Sequence, residues 1–262
     1  MSFRDWYRVD RLPTIYCVGC GNGTVINCTL HAVDTLGWKW EETVFVSGIG
    51  CSSRAPGYIR TDSLHTTHGR ALAFATGIKL AKPGLHVVVF TGDGDLAAIG
   101  GNHFIHACRR NIDITVICMN NWIYGMTGGQ GSPTTPRGAI TTTTPYGSGE
   151  GVFDLSALAV AAGANHVARW TSYHVKELTR AIQTGLETPG FSLVEVLTQC
   201  PTAYGRRNKL REVSDTVEYL KDHAILLQKA RRLEAEGKPV PADMFTIGEF
   251  VRRSLPAMGV PP

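Results

Sequence analysis

Residues 86–131 have the sequence HVVVFTGDGDLAAIGGNHFIHACRRNIDITVICMNNWIYGMTGGQG, in which two apolar runs flank a longer apolar stretch. It begins with an apolar run at 87–90, which is typical of a strand buried on both faces. A second such run lies at 114–119, and the apolar stretch 96–108 between them is long enough for a crossover helix. A strand–helix–strand unit of this kind predicts parallel strands with a right-handed connection. We therefore expect an α/β fold, with a mostly parallel sheet and helices on both faces.

Polar residues follow both of these predicted strands. Asp93 comes after the first strand and Asn121 after the second, so both should emerge at the carboxyl edge, where open α/β sheets bind ligands. A carboxylate and an amide oxygen are hard ligands that suit Mg²⁺. Gly92 and Gly94 would let the backbone approach a phosphate closely. Gly-Asp-Gly alone is also ordinary turn chemistry, so the second polar strand end is what favours a metal and phosphate site.

Cysteine usage raises the question of a second inorganic group. The chain has 7 cysteines, and an odd number in a chain without secretory features disfavours a disulfide framework. Cys17 and Cys20 form a C-x-x-C pair, and Cys51 and Cys200 each follow a predicted buried strand. Four thiolates at one sheet edge suit a [4Fe–4S] cluster or Zn²⁺, although a zinc ribbon usually has two such pairs. Spacing alone leaves three hypotheses: a cluster, a redox C-x-x-C pair and incidental cysteines. The other three are interpreted as core thiols: Cys28, Cys108 and Cys118.

The order GDG, helix, strand, NNWIYG resembles the diphosphate-binding motif of thiamine diphosphate enzymes. The resemblance implies that Asp93, Asn121 and the backbone carbonyl of Ile123 hold Mg²⁺. The continuation YGMTGGQ, residues 124–130, is similar to the β subunits of 2-oxoacid:ferredoxin oxidoreductases. That likeness covers roughly residues 12–210. The fold it implies is a parallel sheet of the thiamine-diphosphate-binding type.

The same resemblance implies three cofactors: thiamine diphosphate, Mg²⁺ and one [4Fe–4S] cluster. The cluster ligands would be Cys17, Cys20, Cys51 and Cys200. The positions expected around the thiamine cofactor and its diphosphate are Ile49, Gly50, Cys51, Ser52, His68, Gly94, Asp95, Gly125 and Met126. Arg54 would bind a substrate carboxylate, as a forked and permanently charged donor. The alternative for Arg54 is a structural ion pair or an exposed side chain.

The function implied is that of the β subunit of an enzyme that oxidatively decarboxylates a 2-oxoacid, with 2-oxoglutarate as the first choice. The products would be acyl-coenzyme A and CO₂, with electrons passing through the cluster to ferredoxin, or the reverse carboxylation. Thiamine catalysis needs a glutamate that no position here matches, so the resemblance assigns it to an α subunit in an α₂β₂ heterotetramer. The alternatives are pyruvate or a broad range of 2-oxoacids, a non-oxidative thiamine decarboxylase or carboligase, and an electron carrier with a vestigial GDG. No G-x-x-x-x-G-K-[ST] motif supports an ATPase.

The chain divides by pattern into a cofactor-binding α/β domain, residues 1–200, and a helical C-terminal arm, residues 201–262. Residues 212–236 predict one charged amphipathic helix, followed by a short helical end. Residues 125–150 are rich in Gly, Thr and Pro, and so long a loop is usually functional or disordered. Because it follows the predicted metal ligands, we expect it to fold over the cofactor.

Composition and charge limit the remaining possibilities. The chain has 262 residues, and 43% of them are hydrophobic, but no apolar run approaches the ~20 residues of a membrane span. The start lacks a signal-peptide core, which predicts a cytoplasmic protein. The net charge is +4, and residues 201–262 hold 11 Lys and Arg against 8 Asp and Glu. A basic cluster there is either a solvated surface or a docking patch for an acidic partner: Arg206, Arg207, Lys209 and Arg211. Nucleic-acid binding is disfavoured, because no recognised module is present.

Overall fold

The computed structural model describes residues 3–260, and its core is one large sheet. Within this described range the ten strands are β1 (Thr43–Ser47), β2 (Asp62–His65), β3 (His86–Gly92), β4 (Thr115–Asn120), β5 (Ile123–Tyr124), β6 (Gln130–Gly131), β7 (His166–Thr171), β8 (Ser192–Leu197), β9 (Ala224–Leu226) and β10 (Phe245–Arg252). Eight of them form the sheet in the order β2-β1-β3-β4-β8-β7-β10-β9, and β5 and β6 form a separate hairpin. All neighbours in the sheet are parallel except β10, which runs antiparallel to β7.

Helices cover both faces of this sheet. They are α1 (Asn22–Thr35), α2 (Ala71–Ala81), α3 (Gly101–Arg110), α4 (Leu155–Ala162), α5 (Val175–Glu187), α6 (Val213–Asp222) and α7 (Leu227–Ala235). Successive residues of a strand face opposite sides, and β3 shows the consequence. Val87 and Val89 pack in the core formed with α2, α3 and α4, whereas Val88 and Phe90 pack in the core formed with α1 and α5. The predicted α/β architecture, with strands buried on both faces, is confirmed.

The connection between β3 and β4 differs from the single predicted helix. It begins with a π-helical turn at Asp95–Ile99, and α3 starts only at Gly101. The loop before α2 packs tightly on this turn, because a Cβ on Gly69 would lie 2.8 Å from the backbone nitrogen of Gly100. Such π-helical turns are frequent at functional sites. The turn directly follows the GDG motif, so it shapes the carboxyl edge of the sheet.

The C-terminal segment is not the helical arm that the pattern predicted. Residues 212–236 form two helices, α6 and α7, separated by strand β9. The expected helical end is strand β10, whose hydrogen bonds to β7 join the segment to the main sheet. The buried Ile225 and Ile247 explain the change, since both side chains pack inward from paired strands.

Two smaller differences concern the edge of the sheet and the start of α2. Strand β2 was not predicted, because all four of its residues are exposed and it lacks an apolar pattern. The sequence pattern predicts a helix over residues 68–81, whereas α2 begins at Ala71, so His68 lies in the loop before it. Among residues 3–260, none of the helices combines the length and the hydropathy that crossing a bilayer requires.

Candidate active site

A cavity of about 210 Å³ opens at the carboxyl ends of β1, β3 and β4. The residues that the sequence assigned to the thiamine cofactor and to Mg²⁺ all line it: Ile49, Gly50, Cys51, Ser52, His68, Asp93, Gly94, Asp95, Asn121, Ile123, Gly125 and Met126. The sheet produces this convergence, because its parallel strands end at one edge. Among the described residues, the lining includes no glutamate. We call this space the Asp93 cavity.

Asp93 is the buried acid of this cavity, with 2% of its surface exposed. Its Oδ2 accepts hydrogen bonds from the hydroxyls of Ser132 and Thr134, the latter at 2.7 Å. Burial raises the pKa of the Asp93 carboxyl, while these hydroxyls act to lower it. Within residues 3–260 no Lys, Arg or His forms an ion pair with it. A buried carboxylate without a protein counter-charge fits a bound cation.

The two other predicted metal ligands follow β4 in a tight turn. Trp122 has φ 63°, a left-handed conformation that is strained for a bulky residue and is typical of functional sites. This turn brings the Ile123 N–H within 3.2 Å of Asn121 Oδ1, so the two residues form one unit. Both line the cavity with Asp93. A carboxylate, an amide oxygen and a carbonyl, completed by phosphate oxygens and water, make a donor set that fits Mg²⁺.

Asp95 lines the same cavity, but its carboxylate already has protein partners. Oδ1 accepts hydrogen bonds from the backbone N–H groups of Gly69 at 2.7 Å and Ile49 at 3.2 Å, and Oδ2 accepts one from the Thr91 hydroxyl at 2.7 Å. The Nδ1 atom of His68 lies 2.7 Å from Oδ1. Asp95 therefore holds together the loops that follow β1 and precede α2. His68, fixed at its Nδ1 side, remains partly exposed at the cavity.

Glycines form the floor of the cavity. A Cβ on Gly94 would lie 2.2 Å from a ring carbon of Tyr124, so no larger residue fits there. Gly50 has φ 138°, a conformation that L side chains rarely adopt. Gly50 and Gly94 line the cavity without side chains, which fits the close approach of a diphosphate.

A second cavity, of about 100 Å³, lies beside the first, and we call it the cysteine cavity. Its lining includes the four cysteines predicted as cluster ligands: Cys17, Cys20, Cys51 and Cys200. The C-x-x-C turn is closed by a hydrogen bond from Cys20 N–H to the Cys17 carbonyl at 3.0 Å, and it is joined to the end of β8 by Gly21 N–H bonding to the Gln199 carbonyl at 3.3 Å. The three cysteines interpreted as core thiols are confirmed as buried in the hydrophobic cores: Cys28, Cys108 and Cys118.

The arrangement of the four thiols tests which inorganic group fits. In the part of the chain that is described, no three His, Cys, Asp or Glu side chains are grouped to hold one metal ion. The four thiols line a shared space, and four cysteine thiolates are a ligand set that fits a [4Fe–4S] cluster or Zn²⁺. Burial raises the pKa of the Cys20 thiol to about 12 and that of Cys51 to about 11, and nearby sulfurs add to both effects. Metal charge would therefore be needed to hold these thiols as thiolates.

The two cavities share a thin wall at Gly125. A Cβ on Gly125 would lie 3.6 Å from the Cys200 sulfur and 3.7 Å from the Cys51 sulfur. Cys51, Asn121, Gly125 and Met126 line both spaces. Arg54 lines the cysteine cavity rather than the Asp93 cavity, and its positive charge acts to lower the pKa of Cys51. Its proposed contact with a substrate stays a prediction.

Sequence reasoning did not find the residues that support Asp93. Ser132 and Thr134 lie in the loop that was expected to fold over the cofactor, and they reach Asp93 from there. Behind them, Asn120 donates to Glu195, which is paired with Arg169. The one available signal was Glu195 itself, a charged residue inside the apolar run FSLVEVL.

Comparison with known proteins agrees with this geometry. Residues 48–196 match the family described as thiamine pyrophosphate enzyme, C-terminal TPP binding domain. The 2-oxoglutarate synthase subunit KorB of Methanocaldococcus jannaschii is 59% identical over 249 residues, covering 94% of this chain and 90% of the relative. The 2-oxoacid:ferredoxin oxidoreductase subunit beta of a Sulfolobus species is 45% identical over 189 residues, covering 71% of this chain and 62% of the relative.

A solved structure extends the likeness to the whole fold. It is the 2-oxoglutarate:ferredoxin oxidoreductase from Magnetococcus marinus with 2-oxoglutarate, coenzyme A and succinyl-CoA bound; the TM-score is 0.87 and the identity 34%, covering 99% of this chain and 87% of that one. Fold, site and family match together define a thiamine-pyrophosphate-dependent enzyme chain. More narrowly, the chain belongs to the 2-oxoacid:ferredoxin oxidoreductases, among their KorB or β subunits. The family and the thiamine cofactor expected from the sequence are confirmed.

Proposed function

We propose that this chain carries the cofactors of an enzyme that oxidises 2-oxoglutarate to succinyl-CoA and CO₂ and passes the electrons to ferredoxin. The observation that carries the proposal is the shared wall between the Asp93 cavity and the cysteine cavity at Gly125. A decarboxylation site and an electron acceptor would stand side by side there. When bound, thiamine diphosphate supplies the nucleophile and the electron sink for decarboxylation.

The protein's own residues would position these groups. Asp93, Asn121 and the Ile123 carbonyl would hold Mg²⁺, and Gly94 would lie beside the diphosphate. Asp95 would keep the Ile49 loop in place through the backbone hydrogen bonds it accepts. The four cysteines of the cysteine cavity would hold one [4Fe–4S] cluster. The protein would thus supply binding and orientation, while the cofactors supply the chemistry.

A partner subunit would complete the site. Thiamine chemistry requires an acidic group at the aminopyrimidine, and no glutamate among the described residues lines the Asp93 cavity. Ile49 and Met126 line that cavity and are nonetheless 39% and 41% exposed, so its mouth is open and apolar. An α subunit that covers this mouth would supply the glutamate and exclude water, in an α₂β₂ assembly. The names of the relatives, which are subunits, support this arrangement.

The choice of 2-oxoglutarate rests on the relatives. The M. jannaschii protein is named for 2-oxoglutarate, and the M. marinus structure contains 2-oxoglutarate with coenzyme A and succinyl-CoA. The Sulfolobus relative carries the broader name 2-oxoacid, which keeps pyruvate and other 2-oxoacids as the second candidate within the same reaction. Arg54 is the side chain we propose to distinguish them.

Ferredoxin would dock on the basic loop that follows Cys200. The N–H of Gly205 bonds to the Cys200 carbonyl at 2.9 Å, and the N–H of Arg206 bonds to the Pro201 carbonyl at 3.1 Å, so the loop folds back on the cluster ligand. Arg206, Lys209 and Arg211 are exposed, and within residues 3–260 none of them forms an ion pair. The two carboxylates that come next, Glu212 and Asp215, are engaged in the capping box of α6. A small acidic electron carrier is complementary to such a surface.

Charge reversal tests this docking surface. Changing Arg206, Lys209 and Arg211 to Glu should raise the KM for ferredoxin, most strongly at low ionic strength, and leave methyl viologen reduction unchanged. The matched control reverses three exposed charges on α7: Lys229, Arg231 and Arg232. Equal effects of the two triple variants on ferredoxin reduction would place the docking surface elsewhere.

The function itself is tested on the complex purified with its partner subunit. Viologen reduction is measured with a panel of 2-oxoacids, with and without coenzyme A. We expect the highest kcat/KM with 2-oxoglutarate, dependence on coenzyme A, and no activity from this chain alone. Release of CO₂ without viologen reduction would instead indicate a non-oxidative decarboxylase and contradict the proposal.

A further inference from the structure

A continuous line of buried polar side chains runs from Asp93 into the protein. Thr134 Oγ1 lies 2.7 Å from Asp93 Oδ2 and 2.9 Å from Asn120 Oδ1. Asn120 Nδ2 donates to Glu195 Oε1 at 2.8 Å, and Arg169 Nε donates to Glu195 Oε2 at 2.7 Å. All five side chains are buried. The line crosses three adjacent strands of the sheet, since Asn120 ends β4, Glu195 lies in β8 and Arg169 lies in β7.

The ion pair in this line is costly for the fold. Placing two charges in the interior costs several kcal/mol per ion, and apolar residues of similar size are often no less stable. Every residue of β8 is buried, and the neighbours of Glu195 in the strand are valines, so the position could hold an apolar side chain. A buried charge at such a position points to a role other than stability.

That role follows from the orientation of the Asn120 amide. The carboxylate of Glu195, paired with Arg169, only accepts hydrogen bonds, so the NH₂ group of Asn120 must face it. The amide oxygen of Asn120 then faces the other way, where it accepts a hydrogen bond from the Trp122 N–H at 3.2 Å. If the Asn120 amide were rotated by half a turn, its NH₂ group would face the Trp122 N–H. No hydrogen bond could then form between them, because both groups are donors.

The Trp122 N–H belongs to the strained turn that carries two of the proposed metal ligands. Asn121 and Ile123 flank Trp122, so a hydrogen bond to its N–H fixes their position. The same Asn120 oxygen lies beside the Thr134 hydroxyl, which touches Asp93. The Asn120 amide therefore contacts both the Trp122 N–H, which lies between Asn121 and Ile123, and the Thr134 hydroxyl, which bonds to Asp93.

We propose that Glu195, paired with Arg169, is a positioning residue for the metal site, because it sets the orientation of the Asn120 amide. The inference rests on the proposed function, in which Asp93, Asn121 and Ile123 hold Mg²⁺. It goes further than that function, because it assigns an effect on metal affinity to Glu195, which would contact neither the metal nor the substrate. Outer partners that orient ligands typically change metal affinity by 10- to 100-fold when altered.

The test is the Mg²⁺ affinity of the Glu195→Gln variant, in the complex with its partner subunit. The metal is removed with a chelator, and Mg²⁺ is titrated by calorimetry at saturating thiamine diphosphate. A glutamine can donate to the Asn120 oxygen and so allows the amide to turn over. We expect Mg²⁺ to bind roughly 10- to 100-fold more weakly, with the complex still assembled.

Asp113→Asn is the matched control. Asp113 forms another ion pair, with the buried Lys79 at 2.7 Å, but it precedes β4 and so lies at the opposite end of the same strand. Its loss should lower thermal stability and leave the Mg²⁺ affinity within about twofold of wild type. If both variants weakened Mg²⁺ equally, the effect would be general destabilisation, and the positioning role would be refuted.

Two further variants make the result decisive. Asn120→Ala leaves the Glu195–Arg169 pair in place and should also weaken Mg²⁺, so it replaces Glu195→Gln if that variant does not fold. Thr134→Val combined with Glu195→Gln should show a non-additive loss, because both act on one network. If Glu195→Gln, or Asn120→Ala in its place, binds Mg²⁺ as tightly as wild type while Asp93→Ala loses the metal, this inference is overturned and the proposed function is not. Retention of the metal by Asp93→Ala would overturn the proposed function with it.

Discussion

Asp93 and Asp95 lie two residues apart just after β3, both buried, and their carboxylates have different partners. Asp95 accepts hydrogen bonds from two backbone N–H groups and a threonine hydroxyl, with an imidazole nitrogen also in contact. Asp93 accepts from two hydroxyls and, among residues 3–260, has no positively charged partner. One acid is therefore committed to the fold, and the other is available to a cation.

Substitution of the two acids should separate these roles. Asp93→Ala should abolish Mg²⁺-dependent binding of thiamine diphosphate and leave the fold intact, because it removes a ligand and little packing. Asp95→Asn should retain the metal site but lower stability by about 1.5–3 kcal/mol, because charge-assisted hydrogen bonds to two loops are lost. Cofactor content after desalting and thermal unfolding measure the two effects. Wild-type cofactor content in Asp93→Ala would reject its assignment as a metal ligand.

A pair of cysteine variants should distinguish ligands from core thiols. Cys200→Ser should lose most of the iron and the visible absorption of the complex, since Cys200 lines the cysteine cavity. Cys108→Ser should keep both, because Cys108 is fully buried in the hydrophobic core. Iron and sulfide analysis of the anaerobically purified complexes provides the comparison. Equal iron content in the two variants would refute this division of the cysteines.

Arg54→Ala should reveal whether this arginine selects the substrate. Loss of a charge-assisted hydrogen bond to a carboxylate should lower kcat/KM by roughly ten- to a hundred-fold. If Arg54 binds the distal carboxylate, the loss should be far larger with 2-oxoglutarate than with pyruvate or 2-oxobutyrate. Equal losses with all three would mean that it acts on the common carboxylate or through Cys51, which it adjoins in the cysteine cavity. Unchanged kinetics would remove it from the site.

His166 should make the stability depend on pH. Its side chain is fully buried in β7, and burial, together with the nearby Arg252 charge, lowers its pKa from 6.5 to about 4. The folded state therefore binds the proton less well than the unfolded state does, so stability is intact above pH 6.5 and falls as the pH drops toward 4. The loss should be at most about 3 kcal/mol, because the Glu249 carboxylate, 3.6 Å from His166 Nε2, favours the protonated form. Denaturant unfolding between pH 7 and 4 should be less pH-dependent in His166→Gln; an unchanged profile would contradict the assignment.

The sequence was most informative where a local pattern and a chemical requirement coincide. The apolar runs of β3 and β4, each ending in a polar residue, predicted both the parallel sheet and the meeting of Asp93 with Asn121. Cys51 and Cys200 could be placed together for the same reason, since each follows a buried strand. Because parallel strands end at the same edge of a sheet, residues that follow different strands in the sequence can be predicted to lie close together.

Other features depended on contacts that no local pattern contains. Thr134 is one of many threonines between residues 125 and 150, and only the folded loop shows that its hydroxyl reaches Asp93. The role of Glu195 depends on its hydrogen bonds with Arg169 and Asn120, which are distant in sequence. Strand β10 was misjudged because its partner β7 lies roughly 80 residues earlier, and pairing overrode the helical preference assumed for the end of the chain.

We propose that the Asp93 cavity and the cysteine cavity act as one oxidative site. The most direct measurement is the electron paramagnetic resonance and visible spectrum of the anaerobic complex after 2-oxoglutarate is added without an external acceptor. We predict that the visible absorption bleaches and a reduced-cluster signal develops, and that neither occurs in Asp93→Ala. Release of CO₂ with an unchanged cluster spectrum would show that the two cavities do not exchange electrons and would contradict the account.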